Sequence, residues 1–371
     1  MEKAPTVYDV AQRAGVSIAT VSMTFRRPNK VREETRQIVL AAAEALNYVP
    51  SASARGLAHG RTGALGLYSY DYFRPEEFEA RLAWDPQGSW HSQSHGGVAV
   101  VRDDADDDHR RFPLYVDEVQ RGVELECWRR GYALLIGGGG GPQSATAVTD
   151  IVGRVDGLAV FPRTVSEDVL ERISQRIPVV ALSERPSREG LNHVLADNLG
   201  GMQAVTEHLI VEHGLRDLQF VGKPDTFDSV ERFAGFQAAL RAAGLRVPRK
   251  PLDALAVDQF ETAGVVDGAL ERGLPEAFVC MTDQAALNLM EGLAKRGVRV
   301  PEQVAVTGFD GIVAGRVVRP SLTTVRQPMQ AMGRAVVEIL VDQLENPSAA
   351  PDARRLPVRV VLRESCGCSR V

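Results

Sequence analysis

The chain has 371 residues, 44 % of them hydrophobic and 25 % charged, with a net charge of −5 and with 34 Gly and 20 Pro that follow no period. That length predicts two or three domains with a sizeable core, and the composition excludes collagen-like, fully disordered and coiled-coil chains. No basic leader before an apolar core and no apolar run long enough to span a bilayer is present, and the cysteines, Cys127, Cys280, Cys366 and Cys368, are too few and scattered for a disulfide framework. The expectation is a cytoplasmic protein without a membrane segment.

Charge is unevenly spread. Met1 to Thr62 carries nine Lys and Arg against five Asp and Glu, or +4, whereas the remainder carries 34 against 43, or −9. A small basic head on an acidic body points to phosphate contact at one end only.

In the head, Val7, Val10, Ala11 and Ala14 repeat at helical spacing up to Gly15, and Ser17 is a good N-cap for a second helix from Ile18 to Phe25. Two short helices about a tight glycine turn form a helix-turn-helix. A third helix from about Glu33 to Asn47 turns Ile38, Val39, Ala42 and Leu46 toward the first two. A small ligand-free bundle would share this pattern, but the hydroxyls of Ser17, Thr20 and Ser22 beside Arg26, Arg27 and Lys30 suit phosphate oxygens.

After Pro50, Ser51 to Ala58 can form one or two helical turns before Gly60. So short a helix is marginal in water, so it is expected to fold on DNA beside a partner copy, with Leu57 wedged between base steps in the minor groove. The alternative is a flexible linker.

The segment TVYDVAQRAGVSIATVSMTFRRPNKVREETRQIVLAAAEALNYVPSASARGLAHGRTG resembles the head of a LacI/GalR-family transcriptional regulator. The resemblance implies a homodimer on a pseudo-palindromic double-stranded operator, read around Ile18, Ala19 and Met23, with Ala54 and Leu57 as hinge contacts. The candidate DNA-binding set is Tyr8, Ser17, Ile18, Ala19, Thr20, Ser22, Met23, Arg26, Lys30, Ser51, Ala54 and Leu57. Three residues depart from the family pattern. Met23 stands where an Arg usually reads a base edge, which removes bidentate guanine recognition there and leaves Arg26 to take over part of it. Ser51 replaces an Asn at the hinge start, and Arg32 replaces a Ser that would cap the third helix.

Beyond Gly63, short apolar runs alternate with amphipathic helices: Ala64 to Tyr68, Tyr132 to Ile136, Gly157 to Phe161, Val179 to Leu182, Leu218 to Val221, Ala277 to Met281 and Val304 to Thr307. Such alternation predicts parallel α/β architecture. The stretches ADNLGGMQAVTEHL, SVERFAGFQAAL, DQFETAG, FVCMTDQAALNLMEGLAKRGVRVPEQVAVTGFDG and RPSLTTVRQPMQAMGRAV, with the terminal RESCGC, extend the resemblance over nearly the whole chain. It implies a two-lobe, periplasmic-binding-protein-like body of Rossmann-like parallel sheets with a ligand cleft between the lobes. The expected domains are 1–47 (helix-turn-helix), 48–62 (hinge helix and linker) and 63–371 (body). Within the body the N-lobe takes about 63–195 and 325–355 and the C-lobe about 196–324 and 356–366.

The resemblance places Arg232 as donor to a ligand hydroxyl or carboxylate, Asp310 of GFDG as the opposing acceptor, and Phe260 as an aromatic cleft wall; Phe161 and Asp283 complete the candidate effector-binding set. Blander readings stand beside these: a surface ion pair for Arg232, a turn at Gly311 for Asp310, plain core for Phe260, and a helix cap for Asp283. Gly137 to Gly141 follows a strand, but no Lys-Ser or Lys-Thr comes after it, so it reads as a connector rather than a phosphate loop.

About 40 residues between Tyr72 and Phe112 replace what is a short loop in the family. This insertion, about 73–111, holds Trp84, Trp90, His91, His95, His109 and the acidic run RDDADDDHRR. It is either a lid over the cleft or a peripheral excursion, and the charge run reads as solvated. Cys366-Gly-Cys368 fits the family tail, and no second cysteine pair completes a zinc site. We therefore expect no metal, no cofactor and no catalytic residue.

The expectation is a nucleoid-associated regulator, a homodimeric repressor of a carbohydrate-use operon with a sugar in the interlobe cleft. A purine or another polar metabolite is the alternative effector. The rival from another class, an α/β sugar-processing enzyme with an appended head, lacks a nucleophile elbow, a convincing metal cluster and a nucleotide loop.

Overall fold

The computed structural model describes residues 5–26, 28–48, 61–69, 114–139, 144–185, 190–252 and 263–368. The chain divides into two units, Met1–Gly63 and Ala64–Val371.

In the first unit, the Thr6 N–H and hydroxyl both donate to Asp9 Oδ2 at 2.7 Å, which starts α1 (Val7–Ala14). Gly15 ends it with φ +66, a conformation that costs a residue with a side chain more. Ser17 Oγ accepts the Thr20 N–H at 3.1 Å and so caps α2 (Ile18–Arg26). No side chain caps α3 (Glu33–Ala45) at Arg32, but Glu33 and Glu34 place negative charge on its positive end. Val10, Ala11, Val21, Val39, Ala42 and Ala43 form the core, with Phe25 and Tyr48 at its edge.

Ile38 is the one inward assignment on α3 that fails, since it is 49 % exposed. The buried face runs through Val39, Ala42, Ala43 and Leu46, and Ile38 is rotated about 100° away from its leading residue Val39.

Among the described residues, the second unit holds two sheets. The first, in spatial order β10-β5-β4-β3-β1-β2, is parallel throughout. Its strands are β1 (Ala64–Ser69), β2 (Ala133–Gly138), β3 (Gly157–Val160), β4 (Val179–Leu182), β5 (Asn192–Ala196) and β10 (Ala353–Leu356). On one face pack α4 (Leu114–Arg130) and α12 (Met329–Glu345), burying Leu65, Leu67, Val119, Val123, Val336 and Leu340. On the other lie α5 (Ser144–Val152) and α6 (Glu167–Ser174) with Val148, Leu158, Leu170 and Ile173. Helices α4 and α12 meet at Gly122 and Gly333: a Cβ at Gly333 would stand 2.2 Å from the Val119 carbonyl oxygen, so only glycine permits this approach.

The second sheet runs β11-β9-β8-β7-β6, parallel except for β11 against β9. Its strands are β6 (Leu218–Val221), β7 (Ala277–Cys280), β8 (Ala305–Asp310), β9 (Thr323–Arg326) and β11 (Arg359–Val361). Helices α7 (Asn198–Val211) and α8 (Phe227–Ala242) cover one face around Phe220, Phe233 and Phe236. Helices α9 (Ala263–Arg272) and α10 (Asp283–Lys295) cover the other with Val266, Phe278 and Leu289, while the short α11 (Ala314–Val317) follows β8.

Among the described residues, three crossovers join the sheets: β5 to α7 at Asp197, β9 to α12 at Gln327–Pro328, and β10 to β11 at Pro357–Val358. Strands β3, β4 and β7 are apolar and buried along their whole length, as a helix-covered parallel sheet requires of its inner strands. Its strands' carboxyl ends are where such folds place ligands.

Candidate functional site

Helix α2 turns Val21 into the head core and leaves Ile18 and Met23 exposed at 40 % and 42 %, with Ala19 also exposed. Ile18, Ala19, Ser22 and Met23 share one helical face, and Tyr8 of α1 is exposed as well. Ser17 Oγ and Thr20 Oγ1 lie 2.9 Å apart at the helix start, where hydroxyls and the positive end of the helix suit a phosphate. Lys30 is exposed beyond the helix. The Arg26 side chain, Ser51, Ala54 and Leu57 lie outside the described residues, as do Phe260 and the 73–111 segment.

In the body, Arg232 is 5 % exposed on the first turns of α8, so the surface-pair reading is wrong. Its Nε donates to Asn198 Oδ1 at 2.8 Å and its Nη1 to the Met281 carbonyl at 2.9 Å. Asp310 Oδ1 lies 3.3 Å from Nη1 and Asp228 Oδ2 3.9 Å from Nη2, while the guanidinium rests 4.0 Å from the Phe309 ring centroid. The neighbouring Glu231 pairs instead with Arg355 at 2.8 Å.

From the first sheet come Tyr115, at the start of α4, and Ser183, after β4, whose hydroxyls are 2.5 Å apart. Ser183 also hydrogen-bonds Asp228, and Asn198 donates to Asp228 Oδ1 at 2.8 Å. Burial pushes the Asp228 carboxyl up to about 7 against the pull of Arg232 and Ser183, and pushes Asp310 up to about 6 against Arg232 and Gln327. Burial likewise raises Tyr115 above the ordinary phenol range. The result is a dry polar cluster, spanning both sheets, that mixes acceptors, a fixed cation and hydroxyls.

Backbone strain gathers here. Among described residues, positive φ outside glycine occurs at Asn47, Arg163 (+59), Ser183 (+52) and Asp310 (+121), and the last three follow or end strands at the cleft. Such conformations cost about 1 to 3 kcal/mol each and persist where surrounding contacts enforce them. At the mouth, Arg163 Nη1 reaches Asp225 at 2.8 Å and joins the two lobes across a solvated ion pair.

The remaining assignments divide. Asp310 is buried, accepts from Gln327 Nε2 at 2.8 Å and faces Arg232, so it belongs to the cluster. Asp283 does not cap α10: Thr282 is the cap, and Asp283 accepts the Gly311 and Ile312 N–H groups and the Thr324 hydroxyl at 2.8, 2.9 and 2.5 Å. It clamps the loop after β8. Phe161, 2 % exposed, backs Tyr115 edge-on with ring centroids 6.3 Å apart. Sequence reasoning passed over Tyr115, Ser183, Asn198, Asp228 and Gln327. Only Asp228 left a trace, one helical turn before Arg232. A separate cavity of about 420 Å³ lies at the crossovers, lined by Glu118, Arg326, Gln327, Pro328, Pro357 and Arg359 among others.

Comparison with known proteins follows the same division. Residues 6–51 match the profile of bacterial regulatory proteins of the lacI family, and residues 206–366 that of the periplasmic binding protein-like domain. A relative named HTH-type transcriptional repressor PurR from Vibrio parahaemolyticus is 29 % identical, over 97 % of this chain and 98 % of its own. One from Klebsiella pneumoniae is 26 % identical over 97 % and 96 %. The lac repressor dimer bound to operator and the anti-inducer ONPF superposes with TM-score 0.72 at 22 % identity, covering 98 % and 99 % of the two chains. The complex of the transcriptional regulator CelR with cellobiose gives 0.62 at 25 % identity over 97 % and 99 %. With a helix-turn-helix head that exposes one face of its second helix and a body of two largely parallel sheets around a polar cleft, the chain joins a lacI-family regulatory head to a periplasmic binding protein-like domain, the arrangement of LacI-type transcriptional regulators.

Proposed function

We propose that the protein is a homodimeric repressor whose operator affinity is set by a polyhydroxylated effector, a sugar, bound at Asp228, Arg232 and Asp310. The buried cluster of two carboxylates and one guanidinium, faced by the Tyr115 and Ser183 hydroxyls, carries this reading. Neighbouring hydroxyls on a sugar donate to carboxylates and accept from a planar guanidinium fork, and in a dry site such charge-assisted bonds are strong. Gln327 Oε1 adds a buried acceptor without a partner among the described residues. Because Tyr115 and Ser183 belong to one lobe and Asp228, Arg232 and Asp310 to the other, a ligand bridging them favours one lobe angle. It shifts DNA binding by its differential affinity for the two states.

On DNA, α2 enters the major groove with Ile18, Ala19 and Met23 toward base edges, and Tyr8, Ser17, Thr20, Ser22, Arg26 and Lys30 toward the backbone. Ser51, Ala54 and Leu57 serve the hinge in the minor groove. Apolar residues at the reading face suit thymine methyl groups.

The PurR names of the relatives favour a second reading, a purine effector. Calorimetric titration of the full-length protein with mono- and disaccharides, purine bases and nucleosides separates the two. A sugar that binds and alters operator occupancy supports the first reading; response to purines alone replaces it with the second.

A further inference from the structure

At the far end of the second sheet, away from the cleft cluster, four metal-ligating side chains converge from parts of the chain that are distant in sequence. His208 lies in the last turn of α7 and His213 just beyond it, while Cys366 and Cys368 flank Gly367 in the C-terminal tail. Their ligand atoms all lie within 4.8 Å of one another. The two Nε2 atoms are 3.2 Å apart, Cys368 Sγ is 3.4 Å from each of them, and Cys366 Sγ is 3.9 Å from His208 Nε2.

These separations match the edges of a metal tetrahedron. With Zn–N near 2.05 Å and Zn–S near 2.3 Å, tetrahedral angles put two nitrogens about 3.3 Å apart and a nitrogen and a sulfur about 3.6 Å apart. Two thiolates and two imidazoles around one centre are also the donor set that selects zinc over magnesium, calcium or manganese.

The surroundings hold the ligands in place without help from a metal. Glu364 accepts from the Ser321 N–H and hydroxyl at 2.7 and 2.8 Å. Ser365 Oγ donates to the Val306 carbonyl at 2.6 Å and accepts the Thr323 N–H at 2.9 Å, which pins the tail across β8 and β9. Gly367, with φ +98, then reverses the chain and returns Cys368 toward the imidazoles. Thr323 Oγ1 lies 3.0 Å from Cys366 Sγ, a donor of the kind that stabilises a coordinated thiolate; the thiol form instead directs its S–H to the Arg363 carbonyl at 3.3 Å.

We propose that His208, His213, Cys366 and Cys368 form a structural Zn²⁺ site that fastens the C-terminal tail to α7. Binding releases the two thiol protons and forms two Zn–S and two Zn–N bonds. The two thiolates neutralise the cation, which suits a half-buried location. All four positions are filled by protein, so the site is structural rather than catalytic. The expectation of no metal therefore changes: a second cysteine pair was the wrong partner to look for, because the fold supplies two histidines that no spacing rule joins to the tail.

The test uses the full chain, purified under reducing conditions without chelator. Elemental analysis is expected to find about one zinc per chain, and chelation to lower the melting temperature by more than about 4 °C. Titration of the reduced, metal-free protein with Co²⁺ alone should produce the visible bands of a tetrahedral ion with thiolate charge transfer. Cys368→Ser and His213→Gln, both at half-buried positions, should weaken Co²⁺ binding at least about tenfold while operator binding persists. Should buried Cys366→Ser fail to fold, the Co²⁺ spectrum of the unmodified chain still decides the matter. Substoichiometric zinc with no thiolate–Co²⁺ band, or a chain lighter by two hydrogen atoms through an oxidised Cys366–Cys368 disulfide, would overturn the proposal.

Discussion

The exposed face of α2 in the head and the buried polar cluster of the body, the two recognition surfaces we propose, are built in opposite ways. On α2, Ile18, Ala19 and Met23 stand exposed and have no internal duty, whereas Arg232, Asp228 and Asp310 are buried and bonded to each other and to their surroundings. An exposed face can change its specificity at little cost to folding. A buried ionic cluster cannot, because removing one member leaves another charge without compensation.

The largest expected effect follows from that asymmetry. Arg232→Ala strands two carboxylates and is expected to cost about 3 to 5 kcal/mol at pH 8 by urea unfolding, less at pH 5, where both can protonate, and to abolish the effector response. A loss independent of pH would mean that Arg232 does not compensate Asp228 and Asp310.

Next in size, Met23→Arg should leave stability within about 0.5 kcal/mol yet shift preference toward guanine at one position of each half-site by about 1 to 3 kcal/mol. Operator selection from random DNA reads this directly. An unchanged consensus would remove Met23 from the base-reading face.

The titration of the cluster comes third. Asp228 and Asp310 have folded-state values raised to about 7 and about 6, so the unliganded body gains stability as pH falls through this range toward the unfolded carboxylate value. A sugar whose hydroxyls donate to these carboxylates prefers them ionised. Its affinity should therefore fall as pH drops from 7 to 5, by up to about 1.4 kcal/mol per pH unit for each group. Calorimetry in buffers of different ionisation enthalpy should detect proton release on binding at pH 6, while operator affinity does not follow this titration.

The smallest effect belongs to the solvated pair at the mouth. Arg163→Ala should change effector affinity by less than about 1 kcal/mol, with reduced sensitivity to salt. A tenfold loss would make Arg163 a ligand contact rather than a latch.

How much of this was legible in the sequence depended on whether the relevant neighbours were local. Helix caps, the Gly15 turn and the strands β1, β4, β6 and β7 rest on short-range patterns and could be read directly. Ile38 was misplaced because a single helical step of 100° separates the core from solvent. The edge strand β10 escaped notice because ARRL carries no apolar alternation and gains its place by pairing with β5. The partners of Asp283, for which a helix cap was one reading, were hidden for a different reason: its three donors come from residues 28 to 41 positions away. Tyr115 and Ser183 are separated by 68 residues, and nothing in either segment announces the other.

The contact of α4 with α12 at Gly122 and Gly333 leaves no flexible side chain between the two backbones, and this gives the body a joint without play. Helix α12 begins directly after the Gln327–Pro328 crossover, and Tyr115 sits in the first turn of α4. A rotation at the crossover must therefore carry Tyr115 with it, so that the far wall of the polar cluster moves in step with the hinge.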